Sequence, residues 1–321
     1  MKNKISPIDA ILRDHSVMIL DGALATELER HGCDLDDPLW SARVLLENPE
    51  VIYQVHSDYF RAGADCAITA SYQATVEGFA LRGIQEEEAL ELIRKTVLLA
   101  REARDEFWKE EEYQTIRPKP LVAASVGPYG AYLADGSEYV GNYGVSDETL
   151  TAFHRSRISA LIEAGADILA FETIPSLQEA KVLHSLLKDY PEVYAWLSFS
   201  LKNEKAISDG TLLEECTRLF GDSEQIAAIG INCAPVSGIT EAIQVLRSNT
   251  HKPIIVYPNS GETYNPETKT WHGQESCNRL DLKSEEWHHA GARLIGGCCR
   301  TAPHHIADIS RKWRPSVVVS S

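Results

Sequence analysis

A single-domain (β/α)8 barrel of TIM type, in the α/β class, is the fold this sequence predicts, on three observations. Eight short apolar runs recur along the 321 residues. Amphipathic stretches with apolar residues at helical spacing separate them. A small-Gly-small step recurs where such a stretch gives way to the next run.

The runs are Val17–Leu20, Asp65–Ala70, Leu121–Gly127, Asp167–Thr173, Glu192–Ser200, Gln225–Cys233, Pro253–Asn259 and Ala292–Cys298. They are mostly continuous rather than alternating, as parallel strands covered on both faces should be. Between them, Glu86–Glu110, Asp147–Ala164, Ser176–Lys188 and Ser237–Arg247 carry helical spacing. The steps are Ala62-Gly63-Ala64, Ala164-Gly165-Ala166 and Ala290-Gly291-Ala292. Glycine suits a left-handed helix stop at each. Eightfold strand–helix alternation over about 300 residues favours a closed barrel, with a doubly wound open sheet as the alternative. The domain is placed over 1–321 with its core at about 12–312, and no low-complexity linker divides it. Residues 111–120 read as a helix-to-strand loop. Two longer loops, Pro128–Ser146 with four tyrosines and Ser260–Cys277 with Tyr264, Trp271 and His272, follow the third and seventh strands. Barrel enzymes place their sites on such loops.

The charge balance, 31 basic against 47 acidic residues, gives −16. That sign opposes nucleic-acid and anionic-membrane partners but not a cationic small molecule. No apolar stretch suits a secretion signal or a membrane span, so a cytoplasmic location is expected. The seven cysteines, an odd count, point to a reducing compartment with thiols free or on metal. Oligomeric state stays open.

Polar and thiol groups converge where the strands end: Asp21, Thr69, Ser125, Glu172, Asn232-Cys233 and Gly296-Gly297-Cys298-Cys299. Adjacent side chains of a regular strand point to opposite faces, so two vicinal cysteines need the backbone to leave strand geometry, which two glycines permit. Three thiolates meeting at one point favour zinc over magnesium or calcium and leave one position of a tetrahedron for substrate. Ordinary buried cysteines and a vicinal disulfide are the alternatives. Cys33, Cys66, Cys216 and Cys277 read as structural. Asp21 and Glu172 suit an ammonium group, because a buried acid needs a cationic partner. Otherwise Asp21 caps the helix Ala23–His31 and Glu172 pairs with a neighbour. His56, His154, His288 and His289 read as core or solvated histidines on helices, and His304 and His305 likewise.

Five ordered segments, Asp21–Leu28, Ile68–Ala74, Ser125–Gly130, Gly230–Cys233 and Gly296–Arg300, together resemble the homocysteine S-methyltransferases, with the likeness running from about Leu12 to Ala307. The look-alikes are the bacterial and plant enzymes that use S-methylmethionine and, to a lesser degree, S-adenosylmethionine. The resemblance implies a catalytic zinc ion on Cys233, Cys298 and Cys299, and the amino group of homocysteine near Asp21 and Glu172. Thr69, Ser125 and Asn232 would line the pocket. The expected reaction moves a methyl group from a sulfonium donor to the homocysteine thiol, forming methionine. An aromatic face, Tyr129 or Trp271, is a candidate to hold the sulfonium. Gln73 beside Tyr72, where betaine users tend to carry a tyrosine, and the lack of a long C-terminal arm weigh against betaine as donor. Selenohomocysteine as acceptor, and a non-catalytic zinc or thiol sensor on a barrel scaffold, are the other readings.

Overall fold

Continuous apolar runs can pair with neighbours on both sides only if both sheet faces are covered, and the chain satisfies this by closing the sheet on itself. The computed structural model describes residues 5–35, 40–261, 263–265, 270–272 and 279–314, of which the side chains at 40–42, 263–265 and 270–272 lie outside the description. Its barrel strands are β1 (Met18–Ile19), β2 (Cys66–Ile68), β3 (Leu121–Val126), β4 (Ile168–Ile174), β5 (Ala195–Phe199), β6 (Ile226–Asn232), β7 (Ile254–Tyr257) and β8 (Ala292–Ile295). They pair in parallel in the order β1-β8-β7-β6-β5-β4-β3-β2. A parallel bridge from Leu20 to Cys66 joins β1 to β2. Two further bonds hold that seam, Asp21 N to Cys66 O at 3.1 Å and Ile68 N to Asp21 Oδ2 at 2.8 Å. Each predicted run holds one of these strands, with β4 extending one residue past its run, to Ile174.

The last long helix before each next strand, and after the eighth, is in turn Pro49–Ala62, Glu86–Phe107, Asp147–Glu163, Leu177–Leu187, Leu213–Phe220, Ile239–Arg247, Leu280–Ala290 and Pro303–Trp313, with shorter helices also present after β1, β2 and β3. Gly63, Gly165 and Gly291 end three of the helical stretches at φ of 116°, 84° and 127°, a backbone that costs other residues strain. Ser146 and Ser176 start two helices by accepting the backbone N–H of Thr149 and Glu179.

Side-chain alternation then divides the core. Val122, Ala124 and Val126 of β3, Leu169 and Phe171 of β4, and Ile229 and Ile231 of β6 face the helices. Ala123, Ile168, Ala170, Trp196, Ala228, Ile255, Tyr257 and Leu294 fill the barrel interior. The helix Pro7–Asp14 brings Ile8 and Ile11 to the same inner cluster and stops its N-terminal end. Because the period is two, the inward set continues at the other end with Ser125, Glu172, Ser198 and Asn232.

Two features differ from expectation, and one alternative reading falls away. Residues 111–116 form a helix, Glu111–Ile116, rather than a loop. It has no buried residue, so no apolar periodicity betrays it; Tyr113 secures it by stacking on Phe107 at 4.4 Å. A short antiparallel hairpin, Leu201–Asn203 with Ala206–Ile207, follows β5. Asp21 does not cap the first helix after β1, which runs Leu24–Arg30 behind Ala23 without a side-chain cap. Cys277 lies outside the described residues.

Asp65, fully buried before β2, accepts from Ile19 N at 2.9 Å and faces Arg314 and Arg117. Arg314 also bonds Val17 O, and Arg117 bonds Phe60 O and Ala64 O, so this ionic group ties both ends of the chain to the seam. Asp65→Ala strands two buried guanidinium groups and should cost about 3–5 kcal/mol. Urea unfolding of the variant beside Asp65→Asn, which keeps one acceptor, checks this; an unchanged midpoint for Asp65→Ala refutes it.

Candidate metal and substrate site

Strand ends converge in a closed barrel, so residues distant in sequence become neighbours at one rim. Cys233 follows β6, and Cys298 and Cys299 follow β8, two strands round the ring. Their sulfur atoms lie within 4.8 Å of one another, with Cys233 Sγ to Cys299 Sγ at 3.7 Å and Cys298 Sγ to Cys299 Sγ at 4.0 Å. Two thiolates on one tetrahedral zinc stand about 3.8 Å apart, given Zn–S of about 2.3 Å. The separations therefore fit a metal and are too long for a disulfide.

The backbone makes this approach possible in two ways. Cys233 has φ 50°, a left-handed conformation that turns its side chain off the strand direction. Gly296 and Gly297 are needed for close approach: a Cβ would stand 2.6 Å from Leu20 Cβ at the first and 2.3 Å from Thr301 Oγ1 at the second. Gly297 N donates to Asp21 O, and Cys298 N to Pro258 O, so the cysteine turn is bonded to the ends of β1 and β7.

The three thiols are electrostatically linked. Hydrogen bonds from Cys298, Cys299, Tyr139 and Asn259 draw the Cys233 thiol well below its ordinary value, against the cost of burial. Cys298 and Cys299 are pushed up, first by their bonds to Cys233 and then by burial. Negative charge on the three thiols is strongly coupled, and gathering more of it at this point calls for a cation.

Beside the thiols runs a continuous polar chain. Ser125 Oγ donates to Glu172 Oε1, and Tyr257 Oη donates to Glu172 Oε2 at 3.1 Å. Tyr257 meets Ser198 at 2.7 Å, and Ser198 donates to Asn232 Oδ1 at 2.8 Å. Asn232 then grips Thr173 twice, accepting its N–H at 2.8 Å and donating to its hydroxyl at 2.7 Å. That grip holds a β-branched residue at φ 57°, a conformation that costs about 1–3 kcal/mol. Burial raises the Glu172 carboxyl to about 7, with Ser125 and Tyr257 restraining the rise. Burial also raises Asp21, helped by the charge of Glu172. Asp21 Oδ1 is buried without a partner, while Oδ2 holds the seam. Thr69 is occupied within the frame, accepting from Ser125 N at 3.0 Å and donating to Ser71 Oγ at 2.7 Å, while Ser71 donates to Ser125 O.

Two residues of the tyrosine-rich loop reach the site unannounced by any spacing in the sequence. Tyr139 Oη lies 3.2 Å from Cys233 Sγ while the residue as a whole is 44 % exposed, so it stands between thiols and solvent. Glu138 turns inward: burial lifts its carboxyl to about 7, the charges of Cys233 and Asp135 add to the rise, and Oε2 is buried without a partner. Tyr129, a candidate to hold a sulfonium, is committed elsewhere. Its ring packs among Tyr132, Tyr143 and Phe153 with centroids 4.9–5.7 Å away. The loop is anchored by Glu179, which accepts from Tyr129 N, His154 Nε2 and Tyr143 Oη. His154 and His56 are both buried and pushed down to about 4 by burial, hence neutral core histidines. The side chain of Trp271 lies outside the described residues.

A closed parallel barrel bearing a metal-competent cysteine triad and acidic groups at its rim defines a thiol-centred barrel enzyme. The sequence model of the family described as Homocysteine S-methyltransferase matches residues 18–313, so the chain belongs to that family and is a methyltransferase. It is 60% identical over 313 residues to Homocysteine S-methyltransferase YbgG of Bacillus subtilis, covering 98% of this chain and 99% of that one. It is 46% identical to a Selenocysteine Se-methyltransferase of Brassica oleracea, covering 92% of this chain and 88% of the other. The crystal structure of the homocysteine methyltransferase MmuM of Escherichia coli in its metallated form superposes with a TM-score of 0.86 at 50% identity, covering 95% of this chain and 99% of that one.

The raised Glu172 carboxyl sets a pH dependence. Between its ordinary 4.5 and about 7, the folded chain holds a proton that the unfolded chain has released. Stability therefore falls as pH rises through that window, by about 3 kcal/mol in all. Glu172→Gln removes this slope, so the variant should gain on the parent between pH 5 and pH 8. Denaturant unfolding of metal-free protein across that range measures it, and parallel curves would refute it.

Proposed function

We propose that this chain transfers a methyl group from a sulfonium donor, S-methylmethionine in preference to S-adenosylmethionine, to the thiol of L-homocysteine, with zinc held by Cys233, Cys298 and Cys299. The observation that carries the reading is the triad of sulfurs within 4.8 Å of one another. Three soft thiolate donors, spaced as a tetrahedral zinc needs, favour that metal over hard cations. Zinc bound there would supply Lewis acidity that keeps a thiol sulfur ionised at neutral pH yet nucleophilic.

The chain's own residues do the rest. Asp21 and Glu172 hold the homocysteine ammonium group, which meets two carboxyl groups that burial has raised and that lack a cationic partner. Ser125 and Tyr257 fix the Glu172 carboxyl, and Asn232 fixes the left-handed Thr173 next to it. Thr69 supports Ser125 from the neighbouring strand. In the reaction the donor's S–CH₃ bond breaks, its electron pair stays on the donor as a neutral thioether, and a new S–CH₃ bond forms at homocysteine. The thiol proton leaves to solvent. The three atoms S, C and S must lie in line, so rigid placement of both sulfurs is the main contribution of the frame. Placement in the cytoplasm agrees with a site built on reduced thiols, and among the described residues no helix is long and apolar enough to cross a membrane.

Serine at Cys233, Cys298 or Cys299 should abolish both tight zinc retention and turnover. Metal analysis of each purified variant alongside a methyl-transfer assay tests this, and normal turnover without metal would overturn the mechanism. Glu172→Gln should raise the homocysteine KM by roughly one to two orders of magnitude, because an ammonium loses its charged partner. An unchanged KM assigns Glu172 to the frame alone. With S-methylmethionine, two methionines should form per turnover, and competition against S-adenosylmethionine establishes the preference.

A further inference from the structure

Homocysteine and a sulfonium amino acid each carry an ammonium group, yet Asp21 and Glu172 account for only one. The two acids lie together on the β1 and β4 side of the rim, close enough for Glu172 to raise Asp21. A third acid, Glu138, lies on the turn Ser137–Tyr139, whose Tyr139 touches Cys233 at 3.2 Å and is 44 % exposed. Its backbone is fixed twice: Ser200 Oγ donates to its carbonyl at 3.1 Å, and its N–H stands so close to Gly130 that a Cβ there would approach within 2.5 Å. The carboxyl is held inward with Oε2 buried and unpartnered, near enough to Cys233 to feel its charge. Nothing in the frame needs that oxygen.

We infer that Glu138 binds the α-ammonium group of the methyl donor and so selects sulfonium amino acids over sulfonium compounds that lack an amino group. The inference rests on the donor class proposed above and adds to it a named recognition residue. Three features of the site support it. A donor sulfur has to reach an acceptor at the cysteines from the side open to solvent, and the turn that carries Glu138 and the half-exposed Tyr139 stands on that side. Tyr139 contacts Cys233 itself, so its neighbour Glu138 is within an amino acid's length of the reacting centre. The ammonium charge is unchanged by the transfer, whereas the sulfonium charge is lost. A carboxylate on the ammonium therefore aids binding without opposing the reaction, which a carboxylate on the sulfonium would do.

The test compares S-methylmethionine with the same sulfonium lacking its α-amino group, as substrates and in calorimetric binding to the zinc-loaded enzyme. The parent should favour S-methylmethionine by about tenfold or more, and Glu138→Gln should erase most of that preference while leaving the homocysteine KM and zinc content unchanged. Glu138→Asp should retain part of it. Equal use of the two sulfoniums by the parent, or an undiminished preference in folded Glu138→Gln, overturns the inference. Failure of the parent to use or bind either sulfonium, with activity from another donor, instead removes the donor class on which it rests.

Discussion

Like charges repel most strongly where water is excluded, and three thiols brought to van der Waals distance of one another are the constraint on which this site depends. Hydrogen bonds from two cysteines, Tyr139 and Asn259 draw the Cys233 thiol well below its ordinary value. The protein resists ionising the others, which lie well above their usual range. Such an arrangement is costly unless a cation completes it, and the sulfur separations are those a tetrahedral thiophilic metal takes. The frame around the triad keeps the sulfurs that close. Its elements include Gly296 and Gly297 against β1, the Cys298 N–H bonded to Pro258 O, and the left-handed turn at Cys233.

Closure of the barrel is what brings the triad about. Cys233 and Cys298 are far apart in the chain but only two strands apart in the ring, and the register of β6 on β7 and β7 on β8 sets their heights. The seam between β1 and β2 is the weakest joint, with two-residue and three-residue strands joined by one bridge. Side chains make up the shortfall. Asp21 at one end accepts from Ile68 N, and Asp65 at the other accepts from Ile19 N under two arginines. Asp21 thus has two tasks: one oxygen closes the barrel and the other faces the site unpartnered.

Much of this was legible in the sequence because it rests on local periodicity. Continuous apolar runs gave every barrel strand, glycine steps gave three helix ends, and strand-end polar residues gave the rim. The cysteine triad followed from those strand ends, since closing the ring fixes which ends are near neighbours. Tyr139 and Glu138 were not legible as site residues. Their positions depend on how a loop with several left-handed residues folds back, anchored by Glu179 from another helix, and that has no sequence period. The Thr173 conformation was hidden for the same reason: its brace, Asn232, is 59 residues away. The exposed helix Glu111–Ile116 buries nothing and so leaves no apolar trace.

On the proposed reading, the distribution of acids is what suits a chain this acidic to a cationic reaction. Among the described residues, none of the hydrogen bonds and ion pairs recorded for Asp21, Glu172 or Glu138 comes from lysine or arginine. Burial instead raises all three carboxyl groups, so the charged form of each is disfavoured until a positive group arrives. On the proposed reading the substrates bring that charge: one ammonium with homocysteine, another with the donor, and the sulfonium besides. A permanent arginine or lysine counter-ion would occupy the carboxylates and repel the sulfonium, slowing the approach of the two sulfurs. Leaving the acids without a cationic partner lets substrate binding complete the electrostatics of the pocket. The charge that vanishes during transfer is the one charge that no carboxylate needs to hold.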